Sequence, residues 1–181
     1  AGYYSTQLED YDIQVGLTAT ERVGFHRYSI PPDQAFNVLL DLDHRDKWLS
    51  ADLQMISETE VAGYRVSDAW AREQHVYFVA RFSQPIQEIA IDTSDNQRNY
   101  ALQFGATEEP LLVKVAISPV DIEGAKKNLE AEVPDWDFEA VKKQAAAKWN
   151  EQLGKINVQT MDEETKTIFY TALYHTTIVP N

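Results

Sequence analysis

The sequence contains no cysteine among its 181 residues. It can therefore form no disulfide, thiol nucleophile, zinc–thiolate site or cysteine-ligated cluster. Its seven glycines are scattered, and none belongs to the glycine-rich loop that binds nucleotide phosphates. No apolar run approaches the roughly 18 residues of a membrane span, so we expect none. What remains is the composition of a packed globular chain, since 44% of the residues are hydrophobic.

Positive charge is also scarce. Lys and Arg number 16 against 29 Asp and Glu, which gives a formal net charge of -13. A protein that binds nucleic acid concentrates positive charge to neutralise phosphates, and an anionic membrane surface attracts basic segments in the same way. We therefore expect no nucleic-acid partner and no binding to anionic membranes.

The first two thirds of the chain alternate apolar and polar residues with a period of two, which predicts β-strands. About nine short strands are expected, and Tyr3 begins a further strand-like segment. Short strands separated by turns are typical of an antiparallel β-sandwich. The nine predicted strands are 13–19, 22–30, 36–42, 53–60, 63–66, 75–82, 87–92, 99–104 and 111–117.

After residue 118 the period changes to that of a helix. One helix is predicted over 121–132 and a second over 138–153, with Asp135 or Asp137 as its N-cap. A capping box, Thr160 to Glu163, predicts the start of a third. The fold class is thus α+β: an antiparallel β-sandwich in residues 1–117, a helical linker in 118–159 and a final helix in 160–181.

The final helix is apolar or aromatic around much of its circumference, so it needs partners on more than one side. It folds back onto the sandwich, pairs with another chain, or belongs to a larger helical assembly. We expect the last, and we expect the chain to be cut at both ends. The residues concerned are Ile168, Phe169, Tyr170, Ala172, Leu173 and Tyr174.

Metal-binding patterns are weak in this sequence. The four histidines are far apart and form no His-Glu-x-x-His motif. Asp41, Asp43 and Asp46 superficially resemble a calcium loop, but a calcium-binding EF-hand needs glycine at its sixth position and glutamate at its twelfth. Those positions hold Asp46 and Asp52, so a charged turn is the better interpretation.

Carboxylates are abundant, but none is assigned a catalytic role. Glu58 and Glu60 share one face of the strand predicted over 53–60, which an acidic solvent face explains without catalysis. Other acidic pairs lie at predicted helix starts, where the helix dipole favours negative charge. The sequence itself therefore supplies no catalytic pair.

Several runs of residues resemble glycoside hydrolase family 92, the calcium-dependent exo-α-mannosidases. Three of them look like its N-terminal β-domain: TATERVGFHRY (18–28), DLDHRD (41–46) and VYFVARFSQP (76–85). The linker is similar to IEGAKKNLEAE (122–132), WDF (136–138) and WN (149–150). The first helix of the family's (α/α)6 catalytic domain resembles FYTALYH (169–175). The runs follow family order, so the chain resembles a middle fragment of such an enzyme.

The resemblance implies a parent glycoside hydrolase, an α-1,2-mannosidase that removes terminal mannose from glycans with inversion. Inversion needs one carboxylic acid and one carboxylate about 6.5–9.5 Å apart. In the family these groups and the calcium ligands come from later parts of the helical domain. We therefore expect no catalytic residue, no metal ligand and no bound calcium in this chain, which by itself should be inactive. Expected partners are a mannose-containing glycan and the remainder of the catalytic domain.

His175, at the end of the final helix, is the single candidate for substrate contact, and a packed helix-end histidine is the alternative. The resemblance also implies a secreted, periplasmic or cell-surface parent protein.

Two other functions remain open. The chain could be a carbohydrate-binding β-module without catalysis, in which Trp48, Trp70 and Tyr77 converge on one concave face. Alternatively, it could be an interaction domain whose apolar C-terminal helix docks on a partner.

Overall fold

The computed structural model describes residues 1–92 and 99–178. In these residues ten strands precede three α-helices, which confirms the α+β prediction. The strands are β1 (Tyr3–Leu8), β2 (Ile13–Ala19), β3 (Val23–Ser29), β4 (Phe36–Asp41), β5 (Lys47–Ser57), β6 (Glu60–Asp68), β7 (Gln74–Phe82), β8 (Glu88–Asp92), β9 (Asn99–Phe104) and β10 (Leu111–Ser118). The helices are α1 (Ile122–Glu132), α2 (Phe138–Leu153) and α3 (Glu163–Ile178), and a short 3-10 turn, Glu9–Tyr11, follows β1.

The strands form two antiparallel sheets. A seven-stranded sheet has the order β1-β2-β3-β10-β7-β6-β5, and a three-stranded sheet has the order β4-β9-β8. The sheets pack face to face around one apolar cluster, which includes Val61, Phe82, Leu102, Phe104 and Leu111. The sandwich predicted from the alternating pattern is therefore confirmed.

The outer face of the larger sheet carries a second apolar cluster beneath α1 and α2. Neighbouring residues of β6 belong to different clusters, since Val61 packs between the sheets and Ala62 packs under the helices. Phe25, Leu129 and Phe138 are among the buried members of the second cluster. This sheet is thus buried on both faces, as its apolar central strands require.

The boundary between β5 and β6 differs from the prediction. The chain turns at Glu58 and Thr59, and Glu60 opens β6 opposite Ser57. Glu58 and Glu60 therefore do not share a strand face, and Glu60 is instead buried, with one carboxylate oxygen 2.6 Å from Arg81 Nε. The turn lacks the Asn-Gly or Asp-Gly pair that usually signals a two-residue hairpin, which is why the pattern missed it.

Aspartates cap the first two helices, and an aspartate cap was predicted for the second. Asp121 accepts the amide of Gly124 at 2.6 Å, and Asp137 accepts the amide of Ala140 at 2.9 Å. Of the two residues considered for the second helix, Asp137 is thus the N-cap and Asp135 is not. Both caps satisfy an amide that has no partner inside its helix.

The capping box predicted for the third helix is wrong. The helix begins at Glu163, and Asp162 caps it by accepting hydrogen bonds from the amide of Glu164 and the hydroxyl of Thr165. Thr160 instead accepts the amide of Asp162 at 3.1 Å and lies two residues before the N-cap position. Residues 179–181 of the predicted final helix lie outside the described residues. None of the helices described is long and apolar enough to cross a membrane.

Candidate functional site

Helix α3 is held only lightly by the described part of the chain. None of its described residues is buried, and Ile168 is 63% exposed. Its contacts with α2 include the rings of Trp149 and Tyr174, whose centroids are 4.7 Å apart. Tyr170 also donates a hydrogen bond to the carbonyl of Ile156 at 3.1 Å. The partners that an apolar helix needs on several sides are therefore not supplied by the residues described.

An open cleft of about 1010 Å³ lies between α3 and the edge of the seven-stranded sheet. Strands β1 to β3 form one wall, and helices α2 and α3 form the other. Four threonines line it, and the hydroxyls of two of them, Thr18 and Thr167, donate to the carbonyls of Gly2 and Glu163. The aromatic residues that line it are Tyr3, Tyr4, His26, Trp149, Tyr170 and Tyr174.

A neutral histidine–tyrosine pair lies at the cleft. His26 Nδ1 lies 3.0 Å from the Tyr28 hydroxyl. Burial lowers the pKa of the His26 imidazole and raises the pKa of the Tyr28 hydroxyl. Both groups are therefore neutral near pH 7. Among the described lining residues Glu163 alone carries a carboxylate. Hydrolysis of a glycosidic bond ordinarily uses two. The cleft therefore offers stacking and hydrogen bonding rather than an acid–base pair.

His175, the predicted substrate contact, lies in the last turn of α3 and is exposed. Its ring is 5.7 Å from that of Tyr174. The described residues do not pack it, and its contact with substrate stays a prediction.

The three aromatic residues proposed for a sugar-binding face do not share one. Trp48 pairs with Ser67, whereas Tyr77 pairs with Tyr64. Ser67 and Tyr64 are three residues apart on β6, so Trp48 and Tyr77 lie on opposite faces of the sheet. Trp48 faces the sandwich interior, while Trp70 lies in the β6–β7 turn and is fully exposed.

The acidic run after β4 forms the turn predicted for it. One carboxylate oxygen of Asp41 accepts the amides of Asp43 and His44, each at 2.9 Å. Within residues 1–92 and 99–178, no three or more His, Asp or Glu side chains cluster so that they could hold a metal ion. These residues therefore do not fit a calcium site.

A buried lysine that the sequence analysis did not single out joins the sandwich to the linker. Lys114 on β10 has no exposed surface, and its ammonium donates to the carbonyls of Val133 at 2.9 Å and Pro134 at 3.1 Å. The same nitrogen lies 4.1 Å from the centroid of the Trp136 ring, a cation–π contact. Lys114 thus fixes the segment between α1 and α2. Its position as a charged residue inside the apolar run LLVKVAIS is the feature of the sequence that could have identified it.

Burial lowers the pKa of Lys114 to about 8. The positive charge of Arg81 acts in the same direction, whereas Asp135 opposes it. The lysine is a structural group here, because its ammonium contacts backbone carbonyls and the aromatic rings of Phe25 and Trp136.

Three ion pairs attach the linker helices to strand β3 and to the turn between β2 and β3, and one of them joins Lys148 of α2 to Glu21 of that turn at 3.2 Å. Glu132, at the end of α1, accepts hydrogen bonds from Arg22 Nε at 2.5 Å and from the Thr20 hydroxyl at 2.5 Å. Burial would raise the pKa of Glu132, but these hydrogen bonds outweigh it and lower that pKa. Glu139, in the first turn of α2, lies 2.8 Å from Arg27. The linker is therefore fixed relative to the sandwich.

Two sequence models of one enzyme family match this chain. The model of the glycosyl hydrolase family 92 N-terminal domain matches residues 1–118, and the model of that family's catalytic domain matches residues 124–181. The chain belongs to glycosyl hydrolase family 92, which confirms the resemblance inferred from its residues.

Solved structures of the family share the fold. A family 92 α-mannosidase from Bacteroides thetaiotaomicron is 27% identical, with a TM-score of 0.86 over 96% of this chain and 26% of its own. An inverting family 92 mannosidase from strain VPI-5482 of that species is 24% identical, with a TM-score of 0.84 over 96% of this chain and 25% of its own.

A curated relative extends the comparison to a fungus. An uncharacterized secreted glycosidase of Arthroderma benhamiae is 25% identical over 99% of this chain and 28% of its own length. The chain therefore spans about a quarter of the length of each of these relatives.

Proposed function

We propose that this chain is a section of an α-mannosidase that hydrolyses terminal mannose from glycans. The observation that carries the proposal is the likeness to the Bacteroides thetaiotaomicron α-mannosidase, which extends over 96% of the chain and includes the helices as well as the sandwich. A likeness confined to the sandwich would support only a shared β-module. The proposed parent is secreted, periplasmic or at the cell surface, which is supported by the secreted fungal relative.

The role proposed for this section is to hold the catalytic domain against the sandwich. Lys114, Glu132 and Glu139 anchor the linker helices, and α3 continues into the catalytic domain. The exposed face of α3 around Ile168 then packs on the remainder of that domain. Support comes from the catalytic-domain match, which begins within α1 and includes all of α3.

The proposed reaction inverts the anomeric carbon of an α-1,2-linked mannose and depends on calcium. Inversion requires an acid and a base that flank the scissile bond. Both are assigned to the remainder of the parent enzyme, as are the calcium ligands. The proposal accordingly includes that the 181-residue chain alone is inactive.

The test compares the 181-residue chain with the longer protein that contains it, using α-1,2-mannobiose as substrate. The longer protein should release mannose, and proton NMR during the first turnovers should show the β-anomer. Chelation of calcium should abolish that activity, while added calcium should leave the melting temperature of the short chain unchanged. An inactive longer protein would overturn the mannosidase assignment, and mannose release by the short chain would overturn its proposed role.

A further inference from the structure

The β6–β7 hairpin carries a row of aromatic side chains on one face. Tyr64 and Tyr77 are direct cross-strand partners, and His75 lies two residues before Tyr77 on the same strand. The ring centroids of Tyr64 and Tyr77 are 6.0 Å apart. Those of His75 and Tyr77 are 6.2 Å apart, with planes inclined by only 19°. The planes of Tyr64 and Tyr77 are inclined by 45°, so the three rings form a row of neighbours that is flat only between His75 and Tyr77.

The aromatic side chains of the hairpin lie next to the part of the sheet that the helices bury. Ala62 and Val79, two residues from Tyr64 and Tyr77 on the same face, are buried beneath α1. Tyr64 and Tyr77 are half-buried, and His75 is exposed. The face therefore changes from protein core to accessible aromatic surface within one hairpin.

The tip of the hairpin extends this surface. Trp70 is fully exposed, although large aromatic side chains are usually at least partly covered. In the connection that carries it, Glu73 adopts the left-handed conformation with φ 51°. An exposed tryptophan in the connection (residues 69–73) between the two strands that carry the aromatic row is a feature of binding surfaces. We call Tyr64, Trp70, His75 and Tyr77 the hairpin platform.

The charges beside the platform select the kind of ligand. Asp52 is the cross-strand partner of Tyr64, and Asp68 follows on the same face with Lys47 3.9 Å from it. The connection that carries Trp70 adds Arg72 and Glu73, whose charges offset each other, so these carboxylates, on a chain of net charge -13, still repel nucleic acids and other polyanions. Neutral hydroxyl groups, by contrast, donate hydrogen bonds to carboxylates.

We propose that the hairpin platform binds neutral hexopyranose glycans. The apolar C–H face of a sugar ring stacks on the aromatic rings, while its hydroxyls donate to Asp52 and Asp68. The surface lies on the β-sandwich and holds a glycan chain without taking part in hydrolysis. The choice of mannose as its sugar rests on the proposed function, whereas the platform itself does not.

The test is native electrophoresis of the 181-residue chain in gels that contain yeast α-mannan, with a soluble β-1,4-glucan in parallel gels. Mannan should retard the wild-type chain. Tyr77→Ala and Trp70→Ala should each weaken binding by about tenfold. Tyr77→Phe keeps the ring and should bind normally. Tyr11→Ala, which removes a tyrosine that is 68% exposed outside the hairpin, is the matched control and should also bind normally.

The outcomes separate this proposal from the mannosidase assignment. Retardation by glucan alone, lost in Tyr77→Ala and Trp70→Ala, would support the platform and count against mannose as its sugar. Retardation by neither polysaccharide, or to the same extent in every variant, would overturn the platform and leave the mannobiose assay unaffected. Self-association abolished by Trp70→Ala without any glycan binding would also overturn it. Because the Trp70 side chain is fully exposed, Trp70→Ala keeps the test valid if Tyr77→Ala fails to fold.

Discussion

Replacing Lys114 with methionine should change how the free energy of unfolding depends on pH. The change should have the opposite direction to the one expected when a lysine is removed from a simple salt bridge. The ammonium is buried and donates hydrogen bonds to the carbonyls of Val133 and Pro134. These contacts alone would suggest that deprotonation destabilises the fold. Burial nevertheless lowers its pKa from 10.5 to about 8, which means that the folded protein favours the neutral amine.

The magnitude follows from proton linkage. Between the two pKa values the unfolded chain binds more protons at Lys114 than the folded chain does, so the free energy of unfolding rises with pH in this window. The full gap between the pKa values corresponds to about 3 kcal/mol. The contribution is absent below about pH 8 and complete above about pH 10.5. The ionised carboxylate of Asp135 raises the pKa of Lys114, and the value of about 8 already includes this effect.

The assay is urea denaturation of the wild-type chain and Lys114→Met from about pH 7 to about pH 10.5 at constant ionic strength. Other titrating groups are common to both proteins and cancel in the difference of their free energies of unfolding. That difference should move in favour of the wild-type protein as the pH rises. Lys143→Met, at an exposed lysine of α2, controls for the loss of one positive charge. A difference that is flat, or that falls with pH, would refute the argument.

Three other substitutions test the packing around the linker and the sheet. Glu132→Gln should lower the free energy of unfolding by about 1–3 kcal/mol at neutral pH. This loss should vanish as the pH falls from 4.5 through the lowered pKa of Glu132. A loss that persists in acid would contradict the role of the ionised carboxylate. Gly63→Ala should cost about 1–3 kcal/mol in urea denaturation, because its Cβ would overlap a carbonyl oxygen of β5 and lie 2.8 Å from Phe78 Cζ; unchanged stability would contradict this packing. Asp137→Ala should cost about 1 kcal/mol by the same measurement and Asp135→Ala distinctly less, since Asp137 is the N-cap; equal losses would contradict that assignment.

Much of the fold was predictable because its signals are local. Alternation located β2 and β10, and the aspartates before α1 and α2 marked where those helices begin. The partners of each strand carry no such signal. Strand β10 pairs with β3 and β7, which lie far from it in sequence, and nothing in the run LLVKVAIS identifies either neighbour.

The candidate sites depended on information that a single strand does not carry. Whether Trp48 shares a face with Tyr77 is decided by register, and β5 has an irregularity between Trp48 and Ser50 that shifts it by one residue. Lys114 stood out within an apolar run, but its acceptors belong to the segment between α1 and α2. An odd residue can be noticed from sequence, whereas its role requires the distant groups around it.

The contrast between the linker and α3 explains how such a section could serve a larger enzyme. Helices α1 and α2 are fixed to the sandwich in several independent ways: a buried apolar cluster, the Lys114 hydrogen bonds and three ion pairs. Helix α3 has no buried residue among those described and touches α2 through few side chains. Local stability follows the number of buried contacts, so α3 should be the first helix to open in hydrogen exchange of this chain. A fixed linker sets the direction in which the chain enters α3, and the apolar surface of α3 is then free to pack on the catalytic domain proposed to follow it.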